Sequence, residues 1–211
     1  MSNLRLNDIW RNVGNEISFF TEETFKDIPS VSGVYAWFYP LRLTTKNIDE
    51  FINEVQLVLN YDCDSNGSPS RENSIKFGWD IIHQKIDFAP KNYDLNSFRH
   101  IWQKIANDQD KFDNFRKVIM RASILLTPLY VGKASNLKLR CQQHINGTAK
   151  DNNFNARYEN YAQKLNISSK SVKDLLFVIL KTDEKGDVST ESEKLVEAVL
   201  KNLIKPKYSI H

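Results

Sequence analysis

Arg140 and His144 are the residues whose types and spacing first indicate chemistry. They lie four positions apart in a segment with helical patterning, and residues at that spacing project from the same face of a helix. Lys133 precedes them in the turn that leads into the segment. Such a group of donors suits a phosphate, because a guanidinium can donate to two phosphate oxygens at once. The alternative is that each of the three is an ordinary solvated cation or helix-face histidine.

Two tyrosines could add phenol groups to that cluster. Tyr35 lies in the β-rich run Gly33–Tyr39, and Tyr130 lies in a second short run that ends at Gly132. Runs of this composition predict strands. Two phenols on neighbouring strands can meet at one edge of a small sheet, above the Gly132 turn. Without the surrounding pattern, both would be interpreted as plain strand aromatics.

Glu197 is the candidate acidic residue. It stands within the apolar stretch Leu195–Leu200, where a carboxylate is costly to bury without a partner. A bound cation would offset that cost. The alternative is a surface ion pair with Lys201, four residues later, in the order that stabilises a helix by roughly 0.2–0.5 kcal/mol.

The two tyrosine runs resemble the paired motifs of the GIY-YIG nuclease superfamily. Gly33-Val34-Tyr35 is similar to the first motif and Tyr130-Val131-Gly132 to the second. The family places an arginine ten residues after the tyrosine of the second motif, and a histidine or tyrosine four residues further on. Arg140 and His144 lie at those offsets.

The end of the chain adds to the resemblance. The family closes with a helix that carries a metal-binding glutamate, followed nine residues later by a proline, and Glu197 and Pro206 match this spacing. Ser209 stands where the family usually has an asparagine, whose amide helps to hold the site. The resemblance covers about residues 33–39 and 125–211 and says nothing about residues 41–124.

The resemblance implies an α+β fold, with a small central sheet of about three strands flanked by helices. Residues 1–40 and 125–211 would form the nuclease core, including an N-terminal helix. Residues 41–124 would form a large, mostly helical insertion between the first two motif strands, where most relatives have only a short turn.

The same resemblance implies hydrolysis of phosphodiester bonds with one divalent metal ion, Mg²⁺ or Mn²⁺. Glu197 would be the sole protein ligand of the metal, which magnesium tolerates because it keeps several waters and binds substrate phosphate directly. Arg140 would hold the scissile phosphate and stabilise the charge that grows on its oxygens. The resemblance thus implies a GIY-YIG-type endonuclease.

Tyr35 is the expected general base for the attacking water. A phenol is rarely ionised at neutral pH, so Lys133 or another nearby cation would have to assist it. Tyr130 and His144 would orient the water or the phosphate, and His144 is the alternative base.

The expected substrate is DNA, with double-stranded DNA favoured, and the expected setting is restriction or anti-phage defence in the cytoplasm. One alternative is a nuclease subunit of a multi-protein defence assembly, docked through residues 41–124, which could also form a homodimer contact. The other is a degenerate module that binds nucleic acid without cleaving it, as the Ser209 departure would suggest.

Periodicity and turn signals predict the elements that must position these residues. Predicted strands cover 33–39, 129–132 and 175–180, the last as a strand buried on both faces. A helix is expected to begin at the cap Ser135 and end near Ile145. Further helices are expected over 6–20, 48–59, 95–106, 111–122, 155–165 and 190–204, and a loop over 62–73.

Composition limits the class of protein more than its function. The 211 residues are 41% hydrophobic and carry a net charge of only +3, so bulk charge does not indicate a nucleic-acid binder. The segment Thr127–Lys150 has four basic residues and no acid, and Phe98–Arg121 has six basic residues and three acids. Two cysteines are too few for a disulfide framework. We find no secretory signal and no apolar run of the roughly 18–20 residues that span a bilayer.

Overall fold

The computed structural model describes residues 16–60, 70–77, 80–87, 98–148, 154–182, 190–204 and 206. The chain divides into two compact units. The sheet unit comprises Met1–Leu41 and Arg121–His211, and the inserted unit comprises Arg42–Met120. No helix of the described residues is long and apolar enough to cross a membrane.

The described residues form six strands and six α-helices. The strands are β1 Ile17–Phe20, β2 Gly33–Phe38, β3 Ser70–Phe77, β4 Asp80–Asp87, β5 Tyr130–Ala134 and β6 Leu176–Lys181. The α-helices are α1 Ile48–Asn60, α2 Arg99–Ala106, α3 Gln109–Arg121, α4 Leu137–Ile145, α5 Phe154–Leu165 and α6 Thr190–Ile204. Short 3₁₀ helices cover Glu22–Asp27, Ala122–Leu125 and Val172–Asp174.

The central sheet confirms the α+β class and corrects the strand number. It has four antiparallel strands in the order β1-β6-β2-β5, rather than about three. The additional strand, β1, was expected to be the end of the helix over 6–20, of which residues 6–15 lie outside the described residues. Ile17, Phe19 and Phe20 are β-branched or aromatic and favour a strand once β6 offers an edge to pair with.

Strand β6 alternates in burial, which corrects the expectation that both of its faces are buried. Phe177 and Ile179 are fully buried, whereas Leu176, Val178 and Leu180 are only partly covered. The sheet therefore has one well-covered face, which we call the tyrosine face because it carries Tyr35 and Tyr130. The opposite face is only partly covered.

The core of the sheet unit is aromatic and lies on the tyrosine face. Trp37 contacts Phe177 at a centroid distance of 4.6 Å and Phe154, the first residue of α5, at 6.1 Å. Tyr158 on the same helix contacts Phe154 and donates to the carbonyl of Ser169 over 2.7 Å. Aromatic pairs of this kind contribute roughly 0.5–1.5 kcal/mol each beyond their buried area.

Helix α6 packs against β2 and β5 on the opposite face of the sheet. Leu200 and Ile204 line an apolar groove of about 440 Å³ there, together with Val34, Ala36 and Val131. The outer side of the same helix is apolar as well, because Leu195, Val199 and Leu203 are 67%, 45% and 77% exposed.

The inserted unit contains a pair of strands that the sequence patterns did not predict, in addition to the three expected helices. Strands β3 and β4 pair antiparallel from Ser70↔Asp87 to Phe77↔Asp80, so the predicted loop over 62–73 ends inside a strand, and its residues 62–69 lie outside the described residues. Only two residues, Gly78 and Trp79, separate the strands in the sequence, which is the spacing of a hairpin signal. Residues 70–74 are all polar and include no β-branched or aromatic residue, so this run does not by itself predict a strand. Helices α1 and α3 agree with the predicted ones to within two residues. Helix α2 begins at Arg99 rather than at residue 95, and residues 95–97 lie outside the described residues.

Candidate active site

The register of the sheet brings the two motif tyrosines together. Tyr35 pairs with Gly132, and Trp37 pairs with Tyr130, so Tyr35 and Tyr130 project from the same face of neighbouring strands. Their rings stack at a centroid distance of 5.9 Å and both side chains are buried. Gly132 makes this possible, since a Cβ at that position would lie 2.5 Å from the Tyr35 hydroxyl oxygen.

Helix α4 points Arg140 and His144 at the Tyr35 hydroxyl. The Arg140 Nε donates to Tyr35 Oη over 3.1 Å, and His144 Nε2 is hydrogen-bonded to the same oxygen at 2.7 Å. The helix begins one residue later than predicted, because Asn136 rather than Ser135 is the cap, and its side chain accepts from the Leu139 backbone N–H. The expectation that Arg140 and His144 share one helix face is confirmed.

His144 is held as a neutral imidazole in the middle of the aromatic core. It is 1% exposed and lies within 5.2–5.6 Å, between ring centroids, of Tyr130, Tyr35 and Phe154. Burial, and to a smaller extent the charge of Arg140, lowers the pKa of His144 to about 3. Its Nδ1 atom is buried without a hydrogen-bond partner in the described structure. A neutral imidazole can orient a phenol at pH 7, but it is a poor proton acceptor.

Tyr35 is held in its protonated form. Burial raises its pKa well above the ordinary value of 10, the neighbouring Tyr130 raises it further, and Arg140 lowers it by less. A phenolate at this position therefore needs more positive charge than Arg140 alone provides. This environment opposes the general-base role expected for Tyr35 unless another cation approaches.

Two residues that the sequence patterns did not single out position this cluster. The side-chain oxygen of Gln143 accepts from Arg140 Nη1 over 3.2 Å. Gln143 follows Arg140 by three residues, and helical spacing alone could have indicated that the two side chains are neighbours. Asn155, at the start of α5, donates to the carbonyls of His144 and Ile145, each over 3.0 Å. It satisfies the last carbonyls of α4, and no local signal predicts it.

The structure divides the predicted site residues into two groups. Tyr35, Tyr130, Arg140 and His144, which we call the tyrosine cluster, lie on the tyrosine face. Lys133 pairs with Val34, so the alternation of β5 places it on the opposite face, which is also the face that α6 covers. The six residues expected in one site are thus not all on one face of the sheet, and Ser209 lies outside the described residues.

Glu197 on α6 forms the ion pair that the sequence offered as its alternative role. Lys201 Nζ lies 2.9 Å from Glu197 Oε1, and the two side chains are 20% and 17% exposed, respectively. The pair is therefore more sheltered than an ordinary surface pair. It lies on a helix that packs on the sheet face opposite to the tyrosine cluster.

A lone carboxylate such as that of Glu197 can hold a magnesium ion whose other ligands are waters and substrate phosphate oxygens. The described residues contain no group of three or more His, Cys, Asp or Glu side chains that could enclose a metal. Lys201 Nζ holds the position beside the carboxylate, so a metal ion would have to displace it.

No protein-family model, no curated protein and no solved structure matches this chain. The motif residues and the contacts that the fold builds around them are therefore the features that bear on function.

The buried state of His144 predicts a specific dependence of stability on pH. The folded-state pKa of about 3 lies below the unfolded value of about 6.5. The stability that neutral His144 contributes is therefore fully present above pH 6.5 and is lost as the pH falls toward 3, at about 1.4 kcal/mol per pH unit. We expect His144→Gln to reduce that slope, measured as the free energy of unfolding in urea between pH 7 and pH 4.

The matched control for this measurement is His100→Gln, since His100 is an exposed histidine in the inserted unit. It is expected to keep the wild-type slope. An unchanged slope in His144→Gln would contradict the buried neutral imidazole, whereas an overall loss of stability at every pH would reflect only the lost hydrogen bond to Tyr35.

Proposed function

We propose that this protein is a metal-dependent endonuclease that hydrolyses phosphodiester bonds in DNA, in restriction or anti-phage defence. The observation that supports the proposal most directly is the Arg140 guanidinium, which two hydrogen bonds hold beside two buried phenols. A charged donor held before the substrate arrives stabilises charge growing on a phosphate without reorganising during the reaction.

In this proposal Arg140 binds the scissile phosphate. Its contacts with Tyr35 and Gln143 use Nε and Nη1 and fix the plane of the guanidinium, so that less side-chain freedom is lost when the phosphate binds. Tyr130 adds a second phenol beside Tyr35, and His144 fixes the direction of the Tyr35 hydroxyl.

Glu197 is proposed to hold the metal ion, Mg²⁺ or Mn²⁺, after its carboxylate exchanges Lys201 for the metal. A bound divalent ion supplies Lewis-acid stabilisation of the leaving oxygen. Lys133 shares the sheet face of α6 and adds positive charge on that side. Because β5 is an edge strand of the four-stranded sheet, groups from both faces can reach a phosphate bound at this edge.

The experiment that tests the proposal is a cleavage panel. Purified protein is incubated with supercoiled plasmid, linear duplex, single-stranded DNA and RNA, each with Mg²⁺, with Mn²⁺ and with a chelator. Metal-dependent nicking or cutting of DNA supports the proposal. Protein that binds the plasmid and leaves it intact under every metal condition contradicts it.

A second candidate, a module that binds nucleic acid without cleaving it, is favoured by two observations. Tyr35 is held protonated, and Glu197 is already paired with Lys201 on the other face of the sheet. Binding without cleavage in the panel would select this candidate, and metal-dependent cleavage would exclude it.

If a further cation approaches Tyr35 and allows it to act as the general base, the cleavage rate should rise with pH. Because the pKa of Tyr35 is raised well above 10, the phenolate fraction grows about tenfold for each pH unit below that value. We expect log kcat to increase with a slope of about one between pH 7 and pH 9. Tyr35→Phe is expected to lower kcat by at least roughly 10²-fold and to flatten the profile, measured by single-turnover cleavage.

The matched variant is Tyr39→Phe, since Tyr39 is another buried tyrosine of the sheet unit, outside the cluster. It is expected to keep the wild-type rate and slope. A Tyr35→Phe protein with an unchanged slope would assign the base to another group, and a flat wild-type profile between pH 7 and pH 9 would be the result expected if the base were His144.

A further inference from the structure

The inserted unit contains a cavity of about 510 Å³ that is separate from the tyrosine cluster in sequence and composition. Its lining includes Lys46 and Asp49 at the start of α1, and Phe98, Arg99 and Trp102 at the start of α2. Both helices belong to the inserted unit, so the cavity is complete within that unit. Its volume lies in the range of ligand pockets, which is roughly 300–1,000 Å³.

The aromatic part of the cavity combines an exposed ring with an anchored one. Phe98 is 58% exposed, so part of its ring is accessible to a ligand. Trp102 lies one helical turn later and is held edge-on by Phe112 and Phe115, at centroid distances of 6.1 and 5.7 Å. The anchored indole and the exposed phenyl ring together offer flat apolar surface to a flat ligand.

The charged part of the cavity lies beside these rings. Lys46 Nζ stands 5.3 Å from the centroid of the Phe112 ring, which holds the ammonium near the aromatic group. Arg99 lies 3.7 Å from Asp49, and the two side chains are 61% and 54% exposed. An ion pair so exposed is weak, so Arg99 can exchange Asp49 for a phosphate oxygen.

From this arrangement we infer that the cavity binds an unpaired nucleotide of single-stranded DNA, with the base stacked on Phe98 and Trp102 and the phosphate bound by Lys46 and Arg99. Aromatic rings that stack bases, next to cations that follow the backbone, are how proteins bind single strands. A paired base cannot offer its face in this way because both of its faces are covered within the duplex. The inference depends on the proposed function only in taking DNA as the ligand.

Binding of a labelled single-stranded DNA oligonucleotide to the full chain, measured by fluorescence anisotropy with chelator present, tests this inference. We expect Phe98→Ala to weaken binding by about tenfold or more, in the range found when a stacking aromatic ring is removed. Phe98→Tyr is expected to retain binding, because it keeps the ring. Lys46→Gln is expected to weaken binding and to reduce its salt dependence by about one unit of slope.

The matched control is Phe19→Ala, which removes a phenylalanine of similar exposure, 49%, from the sheet unit. Wild-type affinity in Phe98→Ala, or an equal loss of affinity for the fully paired form of the same oligonucleotide, would overturn the inference. Displacement of the oligonucleotide by free deoxythymidine monophosphate at the same nucleotide concentration would also overturn the inference. The cavity would then be a site for free nucleotides and not for single-stranded DNA. Circular dichroism confirms that each variant is folded.

The binding experiment tests the cavity separately from the proposed nuclease function. The binding measurement needs no cleavage, so a wild-type chain that cleaves nothing while Phe98→Ala still loses single-strand binding would refute the nuclease proposal and support the cavity. If the wild-type chain cleaves DNA and Phe98→Ala binds single strands normally, the nuclease proposal is supported and the inference about the cavity is refuted.

Discussion

Replacing Arg140 with alanine is expected to abolish DNA cleavage. The substitution removes a cation that donates to the Tyr35 hydroxyl and, with it, the proposed contact with the scissile phosphate. Loss of a single positioned donor to developing negative charge costs roughly 10²–10³ in kcat, and loss of a full charge should reach the upper part of that range. The measurement is the single-turnover rate on plasmid DNA with saturating Mg²⁺.

Lys138→Ala is the matched control for Arg140→Ala. Lys138 is a cation on the same helix, and its Nζ donates to the backbone carbonyl of Lys26 rather than into the tyrosine cluster. We expect it to cleave at close to the wild-type rate. Arg140→Lys should fall between the two, because it keeps the charge but loses the planar, two-pronged donor.

Thermal unfolding separates a catalytic effect from a structural one. Arg140 is half-buried and bonded to Tyr35 and Gln143, so its removal leaves the Tyr35 hydroxyl with one contact fewer. A loss of about 0.5–1.5 kcal/mol of stability is expected, which is far too small to unfold the chain. Cleavage by a folded Arg140→Ala protein at the Lys138→Ala rate would contradict the phosphate-binding role.

Replacing Glu197 with glutamine is expected to remove metal-dependent cleavage as completely as the Arg140 substitution does. Glutamine has nearly the same size, but it carries no charge to hold Mg²⁺ or Mn²⁺, so the change tests the carboxylate and not the packing of α6. The readout is the cleavage rate as a function of Mg²⁺ concentration. Full activity in this variant would contradict the proposed metal-ligand role.

Lys201→Gln distinguishes the metal site from a simple ion pair. If Glu197 and Lys201 only stabilise the helix, both substitutions should cost about 0.2–0.5 kcal/mol of stability and neither should alter cleavage. If Glu197 binds the metal, Lys201→Gln removes a competitor for the carboxylate. Cleavage in Lys201→Gln should then reach half of its maximum at a lower Mg²⁺ concentration than in the wild type.

Local patterns in the sequence predicted the parts of the site that lie on a single element. Arg140 and His144 are four residues apart, and the helical spacing alone places them on one face, as α4 shows. The β-rich runs around Tyr35 and Tyr130 are strands, and α6 begins at Thr190 and ends at Ile204, as its pattern predicted. Such predictions succeed because turns of a helix and alternation in a strand depend on neighbouring residues only.

Pairing between distant segments decided what the local patterns could not. Residues 17–20 fit a helical stripe when considered alone, and they form a strand because β6 provides a partner 150 or more residues later in the chain. Strands β3 and β4 were missed for the same kind of reason, since each is stabilised by the other.

The amino-acid sequence by itself determined which side chains are available for chemistry and which of them share a helix face, because those properties follow from residue type and local periodicity. Only the tertiary structure decided that Tyr35 is held protonated beside a neutral His144, and that Glu197 lies on a helix packed against the other face of the sheet. Both facts depend on burial and on the side of the sheet that each connection takes. The spacing of residues along one element determines neither how deeply a side chain is buried nor which face of the sheet a distant helix covers.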